Sequence, residues 1–315
     1  MTVLDFLFGV LLRPLVQVVA ASGNVLRQAA RRADGRLGLA ILALFAILAI
    51  VPQVFVGPLQ TATTATGRSL EPPSGAHLFG TDELGRDLLN LTVHGSRISM
   101  SIGLLATAIT IVVGALIGIV AGFLGGRTDN VLMRVTDFFL VLPTFVLAII
   151  LAPVILDVIG TGAEFFGIRA TLLVIVVVIG VTSWATTARI IRSQTLSIRE
   201  RMFVDRARVI GAGSAHIMRR HIFPNVVNLI VAQAVITFAL AVFTETTLSF
   251  IGLGDPFAPS WGQILNAAQS AGAPGLEAWW YIAPPAVCVV MVVLAFTLVG
   301  NALDDILNPK TRGRR

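Results

Sequence analysis

The sequence predicts an all-α, polytopic membrane protein with six transmembrane helices, on three observations. Of 315 residues, 56% are hydrophobic and 13% charged, against about 25% charged in a soluble globular domain. Six stretches contain no Asp, Glu, Lys or Arg: Leu37–Gly67, Ile98–Gly126, Phe138–Leu156, Ala170–Ala188, Ile222–Thr244 and Ala278–Leu303. A helix needs roughly 20 apolar residues to cross the hydrocarbon core, and each stretch supplies about that number or more. The basic residues are also unevenly distributed. With a cytoplasmic N-terminus, 19 of the 23 Lys and Arg fall inside and only Arg68, Arg86, Arg97 and Arg169 outside, which is the positive-inside pattern. Both termini are then cytoplasmic, and the net charge of +6 reads as a topology signal with no nucleic-acid surface implied.

Residues 1–36 form a cytoplasmic segment. Its apolar opening, Val3 to Leu12, is short, lacks a basic flank and is interrupted by Arg13, unlike a cleavable signal. An interfacial helix is expected over residues 3–30. Residues 37–97 hold the first span and an outer loop. From Pro58 to Arg97 this loop contains Pro72-Pro73 and a TATTAT stretch, which reads as loop plus a short helix. Residues 98–304 hold five further spans and a cytoplasmic loop over about 189–225, and residues 305–315 are a basic tail.

Two features inside the spans stand out. Ala106, Thr110, Gly114, Gly118, Gly122 and Gly126 recur at every fourth position of the second span, making a groove that admits another backbone closely. Gly114, Gly118 and Gly122 therefore pack either against a partner subunit or against a helix of the same chain. Glu245, in FTETTLSF, is the costly intramembrane charge. It either faces a pathway or gate or ties helices together through hydrogen bonds. Asp137 lies at the cytoplasmic start of the third span. Trp261, in PSWG on an outer loop, is expected near the mouth of the pathway or as an interfacial anchor.

Several chemistries are missing from the sequence. The one lysine, Lys310, follows Pro309, so there is no phosphate-binding Gly-Lys-Ser/Thr loop. His216 and His221 are five apart and not the four that aligns zinc ligands on a helix. With Cys288 as the one cysteine, an intrachain disulfide and Cys-based zinc and iron–sulfur sites are excluded. No catalytic residues, cofactor or metal ligands are predicted in this chain.

The stretch Ser197–Asn225, SIRERMFVDRARVIGAGSAHIMRRHIFPN, reads as a helix, a glycine turn at Gly211 and Gly213, and a second helix running to Pro224. Met202, Val204, Ala207 and Ile210 are expected on one apolar face, with arginines on the others.

This segment resembles a motif of the membrane-spanning subunits of ABC importers, written EAA, three residues, Gly, nine residues, then I-x-L-P. The corresponding residues are Asp205-Arg206-Ala207, Gly211 and His221-Ile222-Phe223-Pro224. Asp stands for Glu and Arg for the first Ala, with the spacing intact. Three further segments are similar to the dipeptide, oligopeptide and nickel branch, most of all to its C-type permease. They are FGTDELGRDLLNLTVHGSRISMSIG (Phe79–Gly103), GGRTDNVLMRVTDFFLVLP (Gly125–Pro143) and ETTLSFIGLGDPFAPSWGQIL (Glu245–Leu265). Where the branch usually has Ser-Arg, this chain has Asn90-Leu91.

The resemblance runs from about residue 35 to 310 and implies a type I ABC importer permease fold in a bacterial cytoplasmic membrane. It implies half of a heterodimeric pathway, with a second permease subunit, two ATP-binding subunits (or one fused ATPase) and an extracytoplasmic binding protein. ATP and Mg would be bound by the partners. Asp205, Arg206, Ala207, Arg208, Gly211 and Pro224 would form the coupling element on the ATPase. Peptides are the implied cargo, with nickel or another small solute as the alternative within the branch. An ion-coupled secondary transporter is the alternative from a different class.

Overall fold

The computed structural model describes residues 13–160, 162–165 and 168–307. Its helices are α1 (Arg13–Ala29), α2 (Ala33–Ile50), α3 (Pro52–Val56), α4 (Leu88–Leu124), α5 (Gly126–Val141), α6 (Thr144–Ile159), α7 (Ala170–Arg199), α8 (Met202–Val209), α9 (Ser214–Leu253), α10 (Trp261–Ser270) and α11 (Trp279–Leu307). One two-residue hairpin, β1 (Glu164–Phe165) and β2 (Ile168–Arg169), joins α6 to α7.

Five helices, namely α2, α4, α7, α9 and α11, are long and apolar enough to cross a membrane, and the α5–α6 pair makes a sixth if it is one broken span. The predicted boundaries need correction in five places. The second span begins at Leu88 and not Ile98, because His94 and Arg97 lie within α4, and the boundary between residues 97 and 98 cuts this helix. At 37 residues, α4 is about 55 Å long, well beyond the roughly 30 Å hydrocarbon core. The fourth span likewise runs past Ala188 to Arg199.

The third apolar run is not one helix. It breaks at Leu142–Pro143, where α5 and α6 meet at 91°. Pro143 has extended backbone just before α6, and proline can neither donate to a helix interior nor leave its predecessor helical. Lastly, α2 begins at Ala33 and α11 continues to Leu307, so the boundaries at 36/37 and 304/305 also fall inside helices.

The expected N-terminal helix is present as α1; residues 3–12 of it lie outside the described residues. Ala21 and Ala29 are buried against Val227 and Val231 of α9 and Val299 and Leu303 of α11.

The tightest pairing joins α4 to α7. A Cβ on Gly114 would lie 2.7 Å from the Thr187 Cβ, one on Gly118 2.6 Å from the Ala188 carbonyl oxygen, and one on Gly122 2.8 Å from the Thr195 Cβ. The small-residue stripe is therefore filled by α7 of the same chain, not by a partner. In the opposite direction, Gly180 of α7 receives the Ile109 side chain. Gly126 meets nothing and adopts φ +54, so the stripe ends at Gly122.

Candidate coupling site

The arginines at the end of α7 position the loop that follows. Arg192 makes two hydrogen bonds to Asp129 of α5, one of them 2.6 Å, and Arg189 pairs with Asp137 at 2.6 Å. Arg199 Nη1 donates to the carbonyls of Gly122 (3.3 Å) and Phe123 (3.4 Å). These are orphan acceptors at the C-terminus of α4, where a cation is electrostatically favoured. The basic residues counted as a topology signal thus lock α4, α5 and α7 into one stalk.

At its tip lies α8, eight residues long and too short to persist unaided. Val204 and Ala207 hold it, buried in one cluster with Phe123, Ile198, Ile217 and Ile222. The helix ends in a Schellman closure. The Ala212 N–H donates to the Ala207 carbonyl (3.0 Å) and the Gly211 N–H to that of Arg208 (2.9 Å), with Gly211 at φ +88. That left-handed position is where glycine is needed. No atom lies within 4 Å of a Cβ built on Gly211, so the glycine serves the turn and not a close approach within this chain.

The predicted single apolar face is split. Met202 (71% exposed) and Ile210 (84%) point away from the chain with Val209 (88%), opposite Val204 and Ala207. A short helix at the tip of the chain meets the cluster beneath on one side only, the side that carries Val204 and Ala207. Arg208 donates to Asp205 at 3.0 Å and lies over the Phe123 ring, while its side chain, like that of Arg206, stays exposed. Pro224, half buried, follows a π-helical turn, Met218–Ile222. Without an N–H, Pro224 leaves a gap in the hydrogen-bond ladder; separately, the Asn225 side chain donates to the His221 carbonyl at 2.7 Å.

Towards the other end of the molecule, Glu245 and Trp261 meet. Glu245 is fully buried. Its Oε2 accepts from Ser99 Oγ of α4 (2.9 Å) and its Oε1 from Ser249 Oγ (2.8 Å). Ser99 Oγ accepts from the Trp261 backbone N–H (3.1 Å), and Trp261 Nε1 donates to the Thr92 carbonyl (3.0 Å). The Trp261 ring meets Phe45 edge-on at 5.5 Å. Trp261 is fully buried within this chain, so it is not an interfacial anchor. Glu245 and Trp261 together fasten α4, α9 and α10. Ser249, one helical turn from Glu245, was legible as a partner from its spacing; Ser99, 146 residues away, was not.

The GTDxxGRD segment is a folding device. Asp82 accepts from the N–H groups of Leu84 (2.9 Å) and Arg86 (2.8 Å) and from Arg86 Nε (2.6 Å). Asp87 caps α4 through Leu89 and Asn90 and meets His77 at 3.0 Å. Gly85, at φ +77, passes so close to the Gly67 carbonyl that a Cβ would lie 2.3 Å from it. At the position where the related branch carries Ser-Arg, Asn90 donates to the carbonyls of Val56 and Pro58 and Leu91 is core.

A bundle of long apolar helices, with a short helical elbow carried on a basic stalk, is the architecture of a multi-pass membrane protein. Residues 114–313 match the family described as binding-protein-dependent transport system inner membrane component, and the chain belongs to that family, the permeases of ABC importers. It is 36% identical over 280 residues to the dipeptide transport system permease protein DppC of Bacillus subtilis, covering 87% of this chain and 82% of that protein. It is 34% identical over 279 residues to the oligopeptide transport system permease protein OppC of the same organism, covering 88% and 85%. The di/tripeptide transport system permease protein DppC of Pseudomonas aeruginosa is 32% identical over 285 residues, covering 88% and 89%.

Proposed function

We propose that this permease forms half of a membrane pathway for di- and oligopeptides, paired with a second permease subunit and driven by separate ATP-binding subunits. The observation that carries the reading is the elbow. Val204 and Ala207 fix α8 to the stalk while Met202, Val209 and Ile210 stand exposed at its tip. An apolar tip beside the free charge of Arg206 suits a groove on a partner with an apolar floor and acidic rim. Pushed by that partner, α8 transmits movement without yielding, because its cluster continues into α7 and α9. The partners bind ATP and Mg; this chain supplies the lever and the pathway wall.

Placed in a bacterial cytoplasmic membrane, the elbow and both termini face the cytoplasm. The charge distribution supports this orientation, and an extracytoplasmic binding protein then delivers cargo at the opposite face. The names of the relatives favour peptide over nickel or other small solutes. Glu245 is occupied by two serine hydroxyls, which weighs against a proton-coupled carrier. The test is co-reconstitution with the cognate subunits, measuring ATPase stimulation and uptake across a panel of peptides and metal chelates. ATP-dependent peptide uptake is the expected result. Uptake by this chain alone on a proton gradient, with no ATPase present, contradicts the proposal.

A further inference from the structure

At the end of the molecule opposite the elbow lies an open cavity of about 770 Å³. Its walls come from the end of α6 with Asp157, the β1–β2 hairpin with Glu164 and Arg169, and the turn after α9 with Asp255 and Phe257. Asp255 is the unusual group. Its side chain is 1% exposed, and its Oδ1 accepts from Arg169 Nη1 (3.1 Å) and the Phe257 N–H (2.9 Å). Its Oδ2 is buried with no hydrogen-bond partner. The Arg169 guanidinium stacks 4.4 Å from the Phe257 ring centre, and its side chain is 41% exposed.

Three carboxylates against one guanidinium leave the wall net negative, so it attracts a cation. Among the described residues no group of three or more His, Cys, Asp or Glu is arranged to hold a metal ion. A cation that brings its own N–H donors fits better, because a buried acceptor left open is costly and an ammonium fills it directly.

We propose that this cavity receives the α-ammonium end of the transported peptide, with Asp255 Oδ2 accepting its N–H and Asp157 and Glu164 supplying the attracting charge. The inference rests on the peptide reading above. Arg169 already holds the other oxygen of this carboxylate, Oδ1, so its charge competes with the cargo's ammonium. An ammonium on Oδ2 joins Arg169 on Oδ1, so the buried Asp255 keeps a counter-charge throughout.

This arrangement separates a binding pair from a brace by the sign of two substitutions. In the complete importer, reconstituted with its binding protein, uptake of radiolabelled dialanine is measured as a function of concentration. Asp255→Asn removes the acceptor charge but keeps the shape, and KM rises about tenfold with kcat retained, as loss of a ground-state contact requires. Arg169→Gln removes the competitor, and KM falls. The surface double variant Asp157→Asn/Glu164→Gln, which leaves the ion pair intact, raises KM about threefold. A salt bridge that merely braces the hairpin gives shifts of the same sign for Asp255→Asn and Arg169→Gln, and that outcome, or an unchanged KM in all three variants, overturns the subsite. If the wild-type importer moves no dialanine or other peptide, the peptide reading itself fails and the subsite falls with it.

Discussion

Gly211→Asp is expected to cut coupled uptake sharply while leaving the permease in the membrane at its normal level. A side chain at φ +88 is strained by about 1–2 kcal/mol, but nothing within 4 Å of its Cβ obstructs it, so the chain still folds. What changes is the elbow's outer surface. A carboxylate appears beside Ile210, which is 84% exposed, and the Schellman closure that fixes the end of α8 is loosened. In reconstituted vesicles uptake falls about tenfold to a hundredfold, the range spanned by coupling free energies of roughly 1–3 kcal/mol, while ATP hydrolysis by the partners continues. Wild-type uptake by this variant removes the elbow from the mechanism.

The second large effect is on stability. Leucine at Gly118 places a Cβ 2.6 Å from the Ala188 carbonyl oxygen and 2.9 Å from the Ile191 Cβ. One of these is backbone and the other sits at the branch of a rigid side chain, so neither yields without parting α4 from α7. The overpacking costs about 1–3 kcal/mol or more, read as lost membrane abundance and a lower unfolding temperature in detergent. Gly75→Ala, at a position with no atom within 4 Å, serves as the matched control and leaves both measurements unchanged. A Gly118→Leu protein as abundant and as heat-resistant as wild type contradicts the packing described for these two helices.

These two glycines also show what the sequence made legible. The stripe was visible as a spacing, because a four-residue repeat of small side chains lies along one helical face whatever packs there. Its partner was not visible, since Thr187, Ala188 and Ile191 carry no mark distinguishing them from lipid-facing residues. The six apolar runs were legible because a bilayer excludes charge from the middle of a span. Helix ends were not, because a helix continues into water without changing its backbone. His94 and Arg97 in α4 and Arg189, Arg192 and Arg199 in α7 thus fell outside the predicted spans yet lie within the helices. The break at Pro143 was masked by apolar residues on both sides. The elbow was readable from Gly211 and the motif spacing, but the placing of Arg208 over Phe123, 85 residues away, was not. The pair of Arg169 and Asp255, which closes one side of the far cavity, joins segments that no local pattern connects.

The proposed mechanism requires a separate ATP-binding protein to grip this chain at the tip of α8. The direct measurement is site-specific cross-linking from Val209, 88% exposed, in a Cys288→Ser background carrying Val209→Cys and a short photoreactive maleimide. The assembled importer is predicted to give a cross-link to the ATP-binding subunit, with a yield that changes when ATP is added. Absence of that product, together with labelling of the same position by a membrane-impermeant reagent from the outer face of intact cells, contradicts the account.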